Sequence, residues 1–268
     1  MRTSLACGLL LAGAIAILSA TDRYPAAGGD LEITPLLHAS VRIAHAGTVI
    51  YVDPWSVSDL TGAAPADLIL VTDDPAHHLD VKAIRQLRKP SAPVVIPASG
   101  VTQVPDGVVL ANGESRTFGP VRVESIAAYD LTPGDPVHPK GEANGYVVTV
   151  GGKRLYFAGV TECVPELLAL RRIDIAFMPM NIPPARMAPR VTADCAKRLK
   201  PGVVYVYHYD QALTTWLTNP ATPRPDAAAG LAVGRTLQEF RQAMTGAGID
   251  VRLADWYPAS ATAAAGKR

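Results

Sequence analysis

Aromatic residues are scarce, at 6% of 268 residues, and there are only 3 cysteines. If Cys7 leaves with an N-terminal segment, Cys163 and Cys195 remain, which excludes more than one intramolecular bridge. Those two could form one bridge in an oxidising compartment, but nothing in the sequence brings them together, so two small buried residues is the favoured reading. Charge of one sign is lacking too: Lys+Arg number 25 against Asp+Glu 24, a formal net charge of +1. With no dense basic run and no acidic tail, the composition argues against nucleic acid or a basic partner. No Gly-rich phosphate loop implies a nucleotide cofactor. Ser40 and Ser99-Gly100 show no nucleophile-elbow pattern, which argues against serine hydrolysis. No repeat of 20–50 residues marks a solenoid or propeller.

Long hydrophobic runs are also few, and the longest stands at the start. Arg2 is followed by an apolar stretch over residues 5–20 that ends Leu18-Ser19-Ala20. A charged start, an apolar middle and a small-residue end are the layout of a secretory signal. The stretch is shorter than the about 20 residues a spanning helix needs. Leu18 suits cleavage after Ala20 poorly, which leaves an uncleaved anchor open. Ser4-Leu5-Ala6-Cys7 resembles a lipidation box but precedes the apolar run instead of following it. The expectation is an exported protein, periplasmic or extracellular, whose membrane contact is confined to residues 1–22.

What is present in quantity is apolar residues, 49%, with 22 Gly and 23 Pro as turn formers. That suffices for one large core. After a Gly/Ala/Pro hinge over residues 25–29, strands are expected over 31–37, 39–45 and 48–53. A short apolar run follows over 66–71, and a helix over 81–88 stops at Lys89-Pro90. Further strands are expected over 94–97, 107–110 and 121–127, and a hairpin over 145–150 and 154–158 turns at Gly151-Gly152. Then helices over 165–171 and 192–199 alternate with strands over 173–179 and 203–207. A Pro-rich excursion over 216–225 leads to a helix over 231–245 and a strand over 249–254. Hairpins first and helix alternation later fit a layered α/β architecture.

Polar clusters fall just past several apolar strands, where open α/β sheets build their sites. They are Asp53-Pro54-Trp55, the run from Asp73 to Asp80, His138-Pro139-Lys140-Gly141, Gly159-Val160-Thr161-Glu162 and His208-Tyr209-Asp210. Four of the 6 histidines, His77, His78, His138 and His208, lie in these loops. Imidazole and carboxylate together suit zinc or manganese. His45, beside Ala46-Gly47, reads as structural.

The order of these clusters resembles the metallo-β-lactamase superfamily from about Leu31 to Tyr209. Ile69-Leu70-Val71-Thr72, the Asp/His-rich loop and Leu79-Asp80 resemble its first metal motif. The segment YDLTPGDPVHPKGEANG, residues 129–145, resembles the middle-histidine loop of its lactonase-like and uncharacterised zinc-hydrolase branches. RLYFAGVTE is similar to the strand that leads into Gly-Asp-Thr, and VVYVYHY to the strand that ends in the last histidine. His38-Ala39-Ser40 and Tyr51-Val52-Asp53-Pro54 also match. The fold implied is a four-layer αββα sandwich, two mixed β-sheets flanked by helices, over residues 28–258, with 259–268 a disordered tail.

The departures from the motif decide which ligands survive. Laid on His-x-His-x-Asp-His, the loop gives Asp73, Pro75, His77 and His78, and Val160 stands in the place of the bridging aspartate. Proline and valine cannot bind a metal. The first of the family's two sites keeps only Asp73 and His138, fewer than a zinc site needs. The second keeps His77, His78 and His208, the ligand count of a catalytic mononuclear site.

The resemblance therefore implies one zinc or manganese ion on His77, His78 and His208, with Asp73 and His138 opposite as acid/base or orienting groups. Glu162 is a candidate spare carboxylate ligand, and Asp53 a group that fixes a liganding ring from behind. His38 is expected in the wall of the substrate pocket. Cys163 could be a ligand or a nucleophile, or a small apolar residue opening a helix. The leading function is metal-dependent hydrolysis of an ester, lactone, amide or phosphoester of a small molecule. The alternative is a metal-free, non-catalytic pseudo-hydrolase that binds a ligand or partner in the old cleft.

Overall fold

A computed structural model describes residues 21–135 and 137–257 of the chain. The expected signal or anchor, apart from its last two residues, and the expected tail lie outside these residues.

The first half of the chain forms a seven-stranded sheet in sequence order. Strands β1 (Asp22–Ala26), β2 (Gly29–Leu37), β3 (Ser40–His45) and β4 (Thr48–Val52) pair antiparallel. β5 (Leu68–Leu70), β6 (Val94–Ile96) and β7 (Val108–Val109) continue parallel. The second half repeats the plan. β8 (Ser115–Phe118), β9 (Val121–Ala128), β10 (Ala143–Val150) and β11 (Lys153–Phe157) pair antiparallel. β12 (Ile175–Pro179), β13 (Val203–Tyr207) and β14 (Asp250–Arg252) follow parallel. Composition follows this division. The short parallel strands, covered on both faces, are continuous apolar runs such as Leu-Ile-Leu and Val-Val-Ile, while β9 alternates buried and outward residues.

One continuous core fills the space between the sheets, with a stack of Phe157, Phe177 and Tyr205 whose ring centroids lie 4.4 and 4.7 Å apart. A second apolar cluster lies under α1 (Val81–Leu87), which Asp80 caps by accepting from the Lys82 and Ala83 amides. α2 (Pro165–Ala169), α3 (Pro189–Leu199) and α5 (Ala227–Ala243) serve the second sheet, and α4 (Gln211–Thr218) closes over the strand ends. This is the expected αββα sandwich. Among the described residues no helix is long and apolar enough to cross a membrane.

Three expectations need correction. The hinge over 25–29 is a hairpin, with β1 starting the sheet at Asp22; its turn uses Gly28 and Gly29 at φ 89° and 131°. Residues 211–218, which include the start of the Pro-rich excursion, form α4, capped by Asp210. Cys163 and Cys195 are not separate small residues: they form a disulfide with Cα atoms 5.8 Å apart. Packing of α2 against α3 brings together positions that are 32 residues apart in sequence. The bridge also removes Cys163 as ligand or nucleophile. His45 is structural, its Nε2 lying 3.0 Å from the Ala27 carbonyl.

Candidate metal centre

Four imidazoles converge where the strands of both sheets end. His38, His77, His78 and His208 each place a ring nitrogen within 4.8 Å of the others. His38 sits in the β2–β3 turn, His77 and His78 in the loop after β5, and His208 directly after β13. His38, Asp53 and His208 take the left-handed backbone conformation, at φ 57°, 44° and 55°. For non-glycine residues that costs about 1–2 kcal/mol each, and such strain gathers at functional sites. The amide of His208 donates to the His38 carbonyl at 3.2 Å, which locks the two loops together.

Each fully enclosed ring is anchored through Nδ1. His78 Nδ1 donates to Asp53 Oδ2 at 2.7 Å, and Asp53 is itself held by the Thr72 amide and hydroxyl at 2.7 and 2.6 Å. His38 Nδ1 lies 2.7 Å from the Tyr257 hydroxyl and 2.9 Å from that of Thr214. His208 Nδ1 lies 3.0 Å from the side-chain amide of Gln211. These contacts turn Nε2 inward. For His78, donation from Nδ1 to a carboxylate also leaves the Nε2 lone pair free, the arrangement found in metal-binding histidines, whereas the Gln211 amide donates to His208 Nδ1 and orients that ring. His78 Nε2 and His208 Nε2 face each other at 3.1 Å, and His38 Nε2 is buried without a hydrogen-bond partner. Facing lone pairs repel unless a proton or a cation lies between them, and a buried unpaired nitrogen costs about 1–3 kcal/mol. The residues present therefore fit a metal ion.

The electrostatics agree. Burial, then the neighbouring imidazoles, hold His38, His77 and His208 well below the ordinary histidine pKa. Ligand rings must be neutral, so this leaves lone pairs available. For His78, burial works against its charge, but the carboxylates of Asp53, Asp73 and Asp74 together outweigh it and the pKa is raised.

A cavity of about 370 Å³ opens onto His77 and His208. Asp73 and His138 stand in its wall, with Asp73 Oδ2 buried, unpartnered and 3.6 Å from His138 Nε2. Burial raises the Asp73 pKa against the opposing pull of His78 and His138. His138 is held by Asp130, whose Oδ2 accepts from its amide at 2.8 Å and its Nδ1 at 3.0 Å. Buried Arg186 pairs with the same Asp130 oxygen at 3.1 Å and donates to the carbonyls of Thr132, Pro183 and Gly134. Pro75 and Val160, at two family ligand positions, line the cavity as apolar wall.

Of the residues expected from sequence, His77, His78 and His208 are brought together, Asp53 backs His78, and Asp73 meets His138. Two placements differ. His38 does not line the pocket; it is fully buried and completes the imidazole cluster, because the β2–β3 turn tucks under α4. Glu162 does not reach the cluster. Its carboxylate receives the Leu131 and Thr132 amides and the Thr132 hydroxyl, at 2.5–2.9 Å, and so fastens the loop before His138. Gln211, Thr214 and Tyr257 carried no sequence signal as anchors; a helix over 211–218 would have been the clue.

Comparison with known proteins points the same way. Residues 32–208 match the model of a beta-lactamase superfamily domain. The chain is similar to a UPF0173 metal-dependent hydrolase of Thermococcus onnurineus (strain NA1), 25% identical over 206 residues, covering 72% of this chain and 89% of that protein. A Pyrobaculum arsenaticum protein of the same description is 24% identical over 185 residues, 65% of this chain and 81% of its own. Among solved structures, one from Parabacteroides distasonis, provisionally assigned as a metal-dependent hydrolase, superposes with a TM-score of 0.75. It is 32% identical and covers 89% of this chain and 100% of its own. A metallo hydrolase from Ignicoccus hospitalis shares the fold, with a TM-score of 0.63 at 20% identity over 83% of this chain and 94% of its own.

Proposed function

The chain belongs to the beta-lactamase superfamily, and from that premise we propose that it is a metal-dependent hydrolase with a single, all-imidazole metal site that acts on a small molecule outside the cytoplasm. The observation that carries this is the convergence of four histidine ring nitrogens within 4.8 Å, one of them buried without a partner.

His38, His78 and His208 would hold the ion from the enclosed side, and His77 from the cavity side. A divalent ion there supplies Lewis acidity and lowers the pKa of water towards neutrality. Substrate enters through the cavity, where His138 and Asp73 stand ready to exchange a proton with it. With Nδ1 turned to Asp130, His138 presents Nε2 to the cavity, and Asp73 accepts a proton more readily than an exposed carboxylate because burial penalises its charge. Asp53 keeps His78 aimed inward. The bond cleaved would be that of an ester, lactone, amide or phosphoester. The N-terminal apolar stretch and the Cys163–Cys195 bridge both support export, since such bridges persist in oxidising compartments.

A second reading has an observation in its favour. Four imidazoles fill a tetrahedral zinc ion, and a closed zinc site is structural, not catalytic. On that reading the cavity binds a ligand without turning it over.

Elemental analysis of the purified protein decides the centre. The expected result is close to one zinc or manganese ion per chain, lost in His78→Ala and His208→Ala. Absence of stoichiometric metal from protein exposed to both ions would end the hydrolase reading, and metal without hydrolysis of any ester, lactone, amide or phosphoester would favour the second one.

A further inference from the structure

A second cavity, of about 490 Å³, lies beside the one in front of the imidazoles. The two share Thr218 in their walls, and consecutive residues divide between them, Ala76 lining the second and His77 the first. Trp55 also lines the second cavity, and its ring lies 6.2 Å, centroid to centroid, from that of His77. About one ring's breadth therefore separates this cavity from the metal centre. Its surface is mainly apolar: Trp55, Leu79 and Leu217 are buried beneath it, and Val57, Val81 and Pro220 are more open to solvent. Its polar groups are already committed. The Asp80 carboxylate accepts from the amides of Ser56, Lys82 and Ala83, and the Gln103 side chain donates to the Asp74 carbonyl. Lys82 is exposed, and an ammonium at such a rim stays in water while its stem lies along apolar surface. One carboxylate and one ammonium leave the lining without net charge.

Open apolar surface beside a reaction centre marks a ligand's place. We infer that the second cavity is a binding site for an aliphatic chain, the alkyl or acyl tail of a molecule whose polar head lies against His77 and His208. The inference rests on the reading that the first cavity receives the reacting group, and it holds whichever cleavable bond the head contains. A ligand that occupies both cavities has to pass the wall formed by Ala76, His77 and Thr218, which a flexible methylene chain does and a fused ring system does not. Burial of the chain, not ion pairing, supplies the affinity, so affinity grows with chain length until the cavity is full.

Methyl ketones carry a carbonyl head and cannot be hydrolysed, so they test the chain site apart from turnover. The purified protein is titrated by calorimetry with 2-butanone, 2-hexanone and 2-octanone. Each methylene that enters the cavity should tighten binding about two- to fourfold, at most about 0.8 kcal/mol. Lys82→Trp, which narrows the cavity from its exposed rim, should abolish that gain and leave 2-butanone binding unchanged. A methyl ketone with a diazirine at the far end of its chain, activated by light on the wild-type protein, should label residues within 55–57, 79–82 or 217–220. Affinity independent of chain length overturns the inference, as does a gain that survives Lys82→Trp, and so does labelling confined to other residues. Tyr257, the last described residue, packs on the same cluster of Trp55 and Leu217, so a chain ended after it tests the residues beyond as a rival occupant. The gain should be unchanged there, and a gain seen only in the shortened chain overturns the inference. A protein that shows the gain but holds no metal loses the hydrolase reading alone.

Discussion

His78 is held at both ring nitrogens, Nδ1 by Asp53 and Nε2 facing His208. Removing the carboxylate while keeping its shape isolates the value of that grip. Asp53→Asn should fold and keep its bond from the Thr72 amide, yet bind zinc about 10–100-fold more weakly. Competition with a chromophoric chelator measures this, and unchanged affinity would remove Asp53 from the account. The same residues set a pH dependence. His38, His77 and His208 have pKa values lowered below 6.5 in the folded chain, so the unfolded chain binds more protons than the folded one as pH falls through 6.5. Stability therefore drops on acidification. His78, Asp73 and Asp210 work the other way, since their raised pKa values contribute stability on acidification, but the three lowered rings are shifted further. Metal-free protein should unfold at lower urea at pH 5.5 than at pH 7.5, and an equal or higher midpoint at pH 5.5 would contradict these pKa directions.

At the level of elements, α4 has two tasks. Its cap, Asp210, accepts from the Leu213 amide, and its first turn carries Gln211 beside His208 and Thr214 beside His38. Asp210→Ala should cost about 1 kcal/mol and also weaken metal binding. Asp226→Ala removes the equivalent cap of α5 at similar cost, and metal affinity should not change. Equal metal affinity in the two variants would show that α4 does not orient the rings. The disulfide ties the loop before α2 to α3. Closing a loop of 32 residues restricts the unfolded chain by about 3–4 kcal/mol. Cys163→Ser combined with Cys195→Ser should lower the urea midpoint accordingly, while an unchanged midpoint would mean that the bridge does not form in the purified protein.

The whole molecule places its centre between two halves that share one plan, four antiparallel strands and then three parallel ones. His38, His77 and His78 come from the first half and His208 from the second. An ion held by both should stabilise the assembled sandwich, because unfolding separates its ligands. At a thousandfold excess over Kd the gain is about 4 kcal/mol, or roughly 10 °C in Tm for a chain of this size. Melting with and without chelator measures it, and a Tm indifferent to chelator would mean that the ion, if bound, does not bridge the halves.

Much of this was legible in the sequence because it is written in local chemistry. Apolar runs and Gly/Asn turns marked most strands, and Asp53, His77, His78 and His208 stood out as polar residues at strand ends. Pro75 and Val160, at two positions where the resembled family carries metal ligands, hold no donor atom in their side chains whatever the fold. The tertiary structure alone decided three things. It moved His38 from pocket wall to imidazole cluster, turned Glu162 to the loop amides, and joined Cys163 to Cys195. Each depends on which distant segments share a few ångströms of space, and that is set by the packing of sheets and helices, not by any residue's immediate neighbours in the chain.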